Sequence, residues 1–159
     1  MYISTNFIVF LKILFLFFFL FYLINSYEYL NNKKIFILEF IFLLNFSAFS
    51  CVLAFSSNDF LFLYLLLELQ NICIYILISL KRYSSIAIEA AIKYFIISAI
   101  MMAFFLYGIS LCYFSTGTIN FFDFELFLYD ENCDFFLFLG FFFIFMSLLI
   151  KNGTPPFHV

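Results

Sequence analysis

The sequence predicts an all-α transmembrane protein with about five membrane-spanning helices. Apolar residues make up 67% of its 159 residues, only 11% are charged, and the mean hydropathy is +1.17. A soluble domain is roughly half apolar and a quarter charged, so this chain cannot cover itself with polar surface. Apolar runs near the length needed to cross a bilayer also recur five times. The expected solvent of the chain is therefore a membrane.

The five apolar runs define the predicted helices, and residues 1–159 form a single integral membrane region. The runs lie at about residues 7–24, 35–55, 60–80, 86–114 and 135–150. The loop at 115–134 is acidic, and it is the only segment expected to form structure outside the bilayer. Lysine and arginine cluster in the first loop (Lys33, Lys34) and the third (Lys81, Arg82). By the positive-inside rule these loops face inward, which places the N-terminus outside.

Several classes of site are excluded by composition. Arg82 is the only arginine and no basic patch exists, so the chain is not expected to bind nucleic acid. The four cysteines are widely spaced and His158 is the only histidine, which predicts no metal site. The first residues carry no basic segment, so we expect insertion without a cleaved leader. The 31 phenylalanines and absent tryptophan are associated with an AT-rich organellar genome.

Glu68 lies near the middle of the third apolar run, roughly 18 Å along a helix from Leu80. A carboxylate at that depth cannot reach the interface. It belongs to a polar stripe at helical spacing, formed by Tyr64, Glu68, Asn71 and Tyr75. The stripe favours either proton handling or a structural hydrogen bond between helices.

Lys93 and Lys151 are two further ionisable residues in apolar surroundings. Lys93 follows Glu89 by four residues, which favours an intrahelical ion pair, and it is close enough to the basic loop to snorkel. Lys151 ends a run of only 16 residues and precedes Gly153 and two prolines, so the last helix is predicted to break near bilayer depth. Broken helices often line ion pathways. A lysine that caps an ordinary helix explains Lys151 equally well.

Three stretches together resemble subunit 2 of proton-pumping NADH–ubiquinone oxidoreductase, respiratory complex I, one of its antiporter-like membrane subunits. They are LFLYLLLELQNICIYIL at 61–77, EAAIKYF at 89–95 leading to LYG at 106–108, and IKNGTPPFH at 150–158. The resemblance runs from about residue 49 to the end. It implies that the five helices are part of an antiporter-like bundle.

The resemblance implies roles for four residues in a proton pathway. Glu68 matches the glutamate of the family's polar axis, and Lys93 matches a lysine of the following helix. Lys151 matches the lysine of a discontinuous helix, and His158 matches the histidine beside that break. On this basis the chain contributes to proton translocation coupled to NADH oxidation and ubiquinone reduction.

The resemblance also implies the surroundings of the chain. No redox cofactor is expected on it, because NADH, flavin, iron–sulfur clusters and ubiquinone are expected elsewhere in the complex. Its expected partners are other membrane-arm subunits, lipids and a separately encoded C-terminal part, since family members have up to fourteen helices. The expected location is the mitochondrial inner membrane, with the N-terminus on the intermembrane-space side.

Two alternatives remain open from the sequence. The chain could be a piece of subunit 4 or 5, although those carry different residues around the glutamate than Glu68-Leu69-Gln70-Asn71. It could also be a non-catalytic assembly or scaffold subunit whose buried charges only specify packing.

Overall fold

The computed structural model describes residues 5–33, 37–81, 84–129 and 135–151. In those ranges the chain forms six helices: α1 (Asn6–Lys33), α2 (Ile37–Ala54), α3 (Phe60–Ser79), α4 (Ser85–Thr116), α5 (Phe121–Tyr129) and α6 (Phe135–Lys151). The all-α prediction is confirmed. The helices divide between two compact units. The first contains the chain up to Ser57 together with Leu66–Phe95, and the second contains Asn58–Leu65 with the chain from Ile96 onward.

Five of these helices are apolar enough to lie in a membrane. Asn6–Tyr27, Phe60–Ser79 and Ser85–Thr116 are also long enough to cross one, whereas Leu38–Ala54 and Phe135–Lys151 are shorter. Large apolar side chains point outward on these helices, and the exposed fraction is 69% at Phe17 of α1 and 71% at Phe138 of α6. A surface of this kind is stable against lipid and not against water. The described chain is thus built of membrane helices, as predicted.

In the first unit, α1 is longer than the apolar run that predicted it. It begins at Asn6, where the amide of Ile8 donates to Thr5 Oγ1 at 3.4 Å as an N-terminal cap. It continues to Lys33, past the predicted end at residue 24. The reason is that the polar residues 25–33 include no glycine or proline to break the helix. The Phe15 ring packs edge-on against Phe55, at 5.8 Å between centroids.

In the second unit, α4 and α6 approach each other at two glycines. A Cβ atom added to Gly108 would lie 2.8 Å from the carbonyl oxygen of Gly140, and one added to Gly140 would lie 2.9 Å from that of Gly108. Neither distance is tolerated between non-bonded atoms, so only glycine permits this backbone contact. Around it lie the buried side chains of Phe105, Ile109, Cys112 and Ile144. Close approach at small residues is how helices associate in lipid, where apolar burial supplies no driving force.

The segment 115–134, predicted to be a loop, contains the helix α5, which the apolar runs did not predict. The start of α5 is held by Asn120, whose Nδ2 donates to Asp123 Oδ2 at 3.0 Å. The same segment pairs with the residues before α3. Asp59 and Asn120 form an antiparallel bridge, in which the amide of Phe60 donates to Ile119 O (3.1 Å) and that of Phe121 to Asn58 O (2.9 Å). These bonds fix α5 against the start of α3 in the second unit.

Candidate functional site

The polar stripe of α3 lies along one edge of the buried side of the helix. Asn71 is 1% exposed, whereas Glu68, Tyr64 and Tyr75 are half-buried. On the helix surface the stripe is flanked by exposed apolar side chains, which are Leu61, Leu65, Ile72 and Ile76. The stripe therefore runs at the boundary between the enclosed part of the protein and the surface that meets lipid or neighbouring helices.

Glu68 presents one oxygen to the interior of the protein. Its Oε2 is fully enclosed and has no hydrogen-bond partner among the described residues. An ionisable side chain at this place in a membrane helix is costly to retain, which makes Glu68 a candidate functional residue.

Asn71 is the other enclosed polar side chain of the stripe. Both its Nδ2 and its Oδ1 lack a hydrogen-bond partner within the part of the chain that the structure describes. By contrast, the buried hydroxyls of Ser50, Ser147 and Thr116 each donate to a carbonyl of their own helix. The amide of Asn71 makes no such bond to its own helix. Helical spacing predicted that Asn71 belongs to the stripe. No pattern in the sequence predicted that Asn71 is its most enclosed member.

Lys93 lies on an exposed side of α4 and is paired within its own helix. Its Nζ lies 2.9 Å from Glu89 Oε1, and the two side chains are 58% and 66% exposed. Because α4 has 32 residues and is roughly 48 Å long, its first turns can extend beyond a hydrocarbon core of roughly 30 Å. The structure thus shows the intrahelical pair that the spacing predicted. It does not bring Lys93 to the enclosed oxygen of Glu68.

Lys151 is the last residue of α6, and its Nζ is enclosed. It belongs to the second unit, whereas Glu68 and Lys93 belong to the first. The predicted helix break at 152–156 and His158 lie outside the described residues. The enclosed amine at the end of an apolar helix is the feature that a discontinuous proton-carrying helix would require.

The arrangement offers acid–base groups and no metal-binding cluster in the described ranges. Among those residues no group of three or more His, Cys, Asp or Glu side chains lies close enough to hold a metal ion. Cys73 and Cys112 are free thiols buried among apolar residues, and Cys51 is half-buried. The cysteines therefore act as small packing residues in this part of the chain.

An enclosed glutamate and an enclosed lysine in apolar helices are features typical of membrane proteins that move ions or protons. Residues 57–159 match the family described as NADH:quinone oxidoreductase/Mrp antiporter, transmembrane region. The match covers more than half of the chain, and the chain belongs to this family.

Curated relatives and a solved structure agree with the family. NADH-quinone oxidoreductase subunit N of Thiobacillus denitrificans is 36% identical over 138 residues, which is 86% of this chain and 29% of that protein. Subunit N of Bartonella bacilliformis is 36% identical over 150 residues, 94% of this chain and 31% of that protein. A chain of respiratory complex I from Thermus thermophilus with bound aureothin aligns with a TM-score of 0.64 and 29% identity, over 76% of this chain and 26% of its own length. The chain thus spans less than a third of these relatives.

Proposed function

We propose that the chain is part of a membrane-arm, subunit 2-like component of proton-pumping NADH–quinone oxidoreductase and contributes to its proton translocation. The observation that carries this proposal is the enclosed carboxylate of Glu68 in the middle of a spanning helix, in a chain of this family. An ionisable group placed there is costly, and membrane proteins retain such groups chiefly where ions or protons move. NADH oxidation and quinone reduction would drive the movement from elsewhere in the complex.

Glu68 and Lys151 are the residues proposed to carry the proton. Each has an enclosed polar atom, so its charge interacts with other charges through a medium of low polarity. Loss or gain of a charge nearby then changes which protonation state is favoured. Lys93 and His158 are proposed to belong to the same pathway, on the resemblance of their sequence motifs to those of the family.

The chain is proposed to carry no redox cofactor, because its described ionisable groups suit proton transfer and the complex is expected to bind flavin, iron–sulfur clusters and quinone on other subunits. Its partners are then the neighbouring membrane-arm subunits and the surrounding lipids. Cross-linking of the purified complex tests this, since subunit 2 is expected nearest to the hydrophilic arm among the three antiporter-like subunits. Cross-links only to distal subunits would favour a subunit 4 or 5 assignment.

The mitochondrial inner membrane is the proposed location, with the N-terminus on the intermembrane-space side. The basic pair at Lys33 and Lys34 and the acids Asp123 and Glu125 support this orientation, because they follow different apolar runs and are expected on opposite sides of the membrane. Labelling Glu125→Cys from the outside and Lys81→Cys from the inside tests this orientation, and the reverse accessibility would contradict it.

A separately encoded C-terminal part of the subunit stays a prediction. The mass of the subunit in the purified complex tests it.

Replacing Lys151 with alanine tests the proposed function. We expect NADH-driven proton pumping and NADH oxidation per assembled complex to fall at least tenfold, because proton-transferring groups contribute about 10²–10⁴-fold to rate. Lys151→Arg keeps a charge that cannot be released at neutral pH, so it should also fail to pump. Lys12→Ala, on α1 and outside the stretches that resemble the family, is the control and should pump normally. Normal pumping by fully assembled Lys151→Ala would contradict the proposal.

A further inference from the structure

The interior side of α3 holds two enclosed polar groups that face the same region of the helix surface. Glu68 Oε2 and both polar atoms of Asn71 are enclosed, and none has a hydrogen-bond partner among the described residues. Glu68 and Asn71 are three residues apart on one helix, so their Cβ atoms are separated by roughly 5–6 Å. They do not bond to each other directly. One intervening hydrogen-bonding group can contact both side chains across this separation.

The group that spans it has to be small. Asn71 is 1% exposed in this chain alone, so a side chain from a neighbouring subunit cannot reach it without displacing residues that already enclose it. An amide buried without hydrogen bonds is destabilising, and native proteins rarely leave such a group without a partner. Buried water typically meets this need where two or more polar groups converge.

We propose that Asn71 holds a water molecule against Glu68 Oε2, which makes Asn71 a positioning residue of the proton pathway. This role rests on the proposed function of Glu68 and adds Asn71 to the residues that support it. Asn71 itself neither gains nor loses a proton.

An amide suits this position because it both donates and accepts hydrogen bonds. When Glu68 is ionised, Asn71 Nδ2 donates to the water oxygen and the water donates to Oε2. When Glu68 is protonated at Oε2, that hydroxyl donates to the water and the water donates to Asn71 Oδ1. The same bridge therefore serves both states of the acid.

The experiment compares three variants in the intact, purified complex reconstituted into vesicles. Asn71→Leu has nearly the same shape and removes both polar functions, so the complex should assemble. Proton pumping per assembled complex should fall about tenfold, the effect expected when an ordinary hydrogen bond that holds the water is lost. Asn71→Ser retains a hydroxyl that donates and accepts, and it should restore most of the activity. Asn45→Leu makes the same change at an exposed asparagine, whose Nδ2 donates to Ile41 O at 2.9 Å, and should change nothing.

Infrared difference spectroscopy supplies a readout that a packing role would not alter. The carboxyl C=O band that disappears in Glu68→Gln should move to higher frequency in Asn71→Leu and remain near its native position in Asn71→Ser. An unmoved band, or normal pumping by Asn71→Leu, would overturn the bridge. If Glu68→Gln stops pumping while Asn71→Leu does not, the bridge alone is wrong. If Glu68→Gln pumps normally, the proposed function is wrong as well.

Discussion

Glu68 and Lys93 are both ionisable residues of apolar helices, yet their side chains have opposite surroundings. Glu68 has an enclosed oxygen without a partner in the described chain, whereas Lys93 forms a 2.9 Å ion pair with Glu89 on an exposed side of α4. An exposed pair of this kind contributes little to stability. Position in the structure therefore supports a functional role for Glu68 directly, and it supports one for Lys93 only through the family resemblance.

Exchanging the charges of the Lys93 pair separates these two interpretations. In the double variant Glu89→Lys with Lys93→Glu, the ion pair is retained but the lysine moves one turn along α4. We expect a normally assembled complex whose pumping is reduced several-fold, because the resemblance requires the lysine at position 93. Vesicle acidification per assembled complex is the measurement, and Glu89→Gln alone is the control. Undiminished pumping by the exchanged pair would show that Lys93 serves only in the pair.

The sequence was sufficient to identify the stripe of α3 but not the environment of its members. Helical spacing placed Glu68 and Asn71 on one face. Which of the two is fully enclosed depends on the side chains that pack over them, and no local pattern contains that information. The ion pair of Lys93 was predictable because both partners lie on one helix, four residues apart. His158 and the helix break before it lie outside the described residues.

At the scale of elements, the contact between α4 and α6 depends on two glycines. Gly108 and Gly140 let the backbones meet, and the side chains of Ile144 and Cys112 fill the space beside them. A larger residue at either position forces the helices apart. This contact belongs to the second unit, in which Lys151 ends α6. Its loss would also displace the helix that carries the proposed proton-carrying lysine.

Substituting Gly108 with valine tests the importance of this contact. Overpacking of a tightly packed site costs typically about 1–3 kcal/mol, so we expect a several-fold decrease in the amount of assembled complex. Ala103→Val introduces the same side chain at an exposed position of α4 and should assemble normally. Native gels of membranes with equal expression measure the difference. Equal assembly of the two variants would contradict the account of this helix contact.

Apolar runs predicted where the membrane helices lie but not where helices begin or end. The run at residues 7–24 marks only the apolar part of α1. The helix itself is defined by its backbone hydrogen bonds and extends to Lys33. The helix α5 was missed because it lies in an acidic loop with no long apolar run. Asn120 followed three residues later by Asp123 was the available signal, since this spacing is typical of a helix start.

At the scale of the whole molecule, the family and the composition lead to the same conclusion from different evidence. An apolar exposed surface requires a bilayer, and residues 57–159 match the family of NADH:quinone oxidoreductase and Mrp antiporter transmembrane regions. The chain covers 29% of the relative from Thiobacillus denitrificans. Most of that relative therefore has no counterpart in these 159 residues, and Glu68 and Lys151 are one part of the proposed pathway.

The ratio of protons translocated to NADH oxidised, measured for Glu68→Gln in the reconstituted complex, tests the central claim most directly. Glutamine keeps the size and hydrogen-bonding capacity of the side chain but cannot carry a proton, so we expect normal assembly and a lower ratio. Glu125→Gln, at an exposed carboxylate of α5, is the matched control and should keep the native ratio. A native ratio in fully assembled Glu68→Gln would contradict the account and favour a subunit whose buried charges only specify packing.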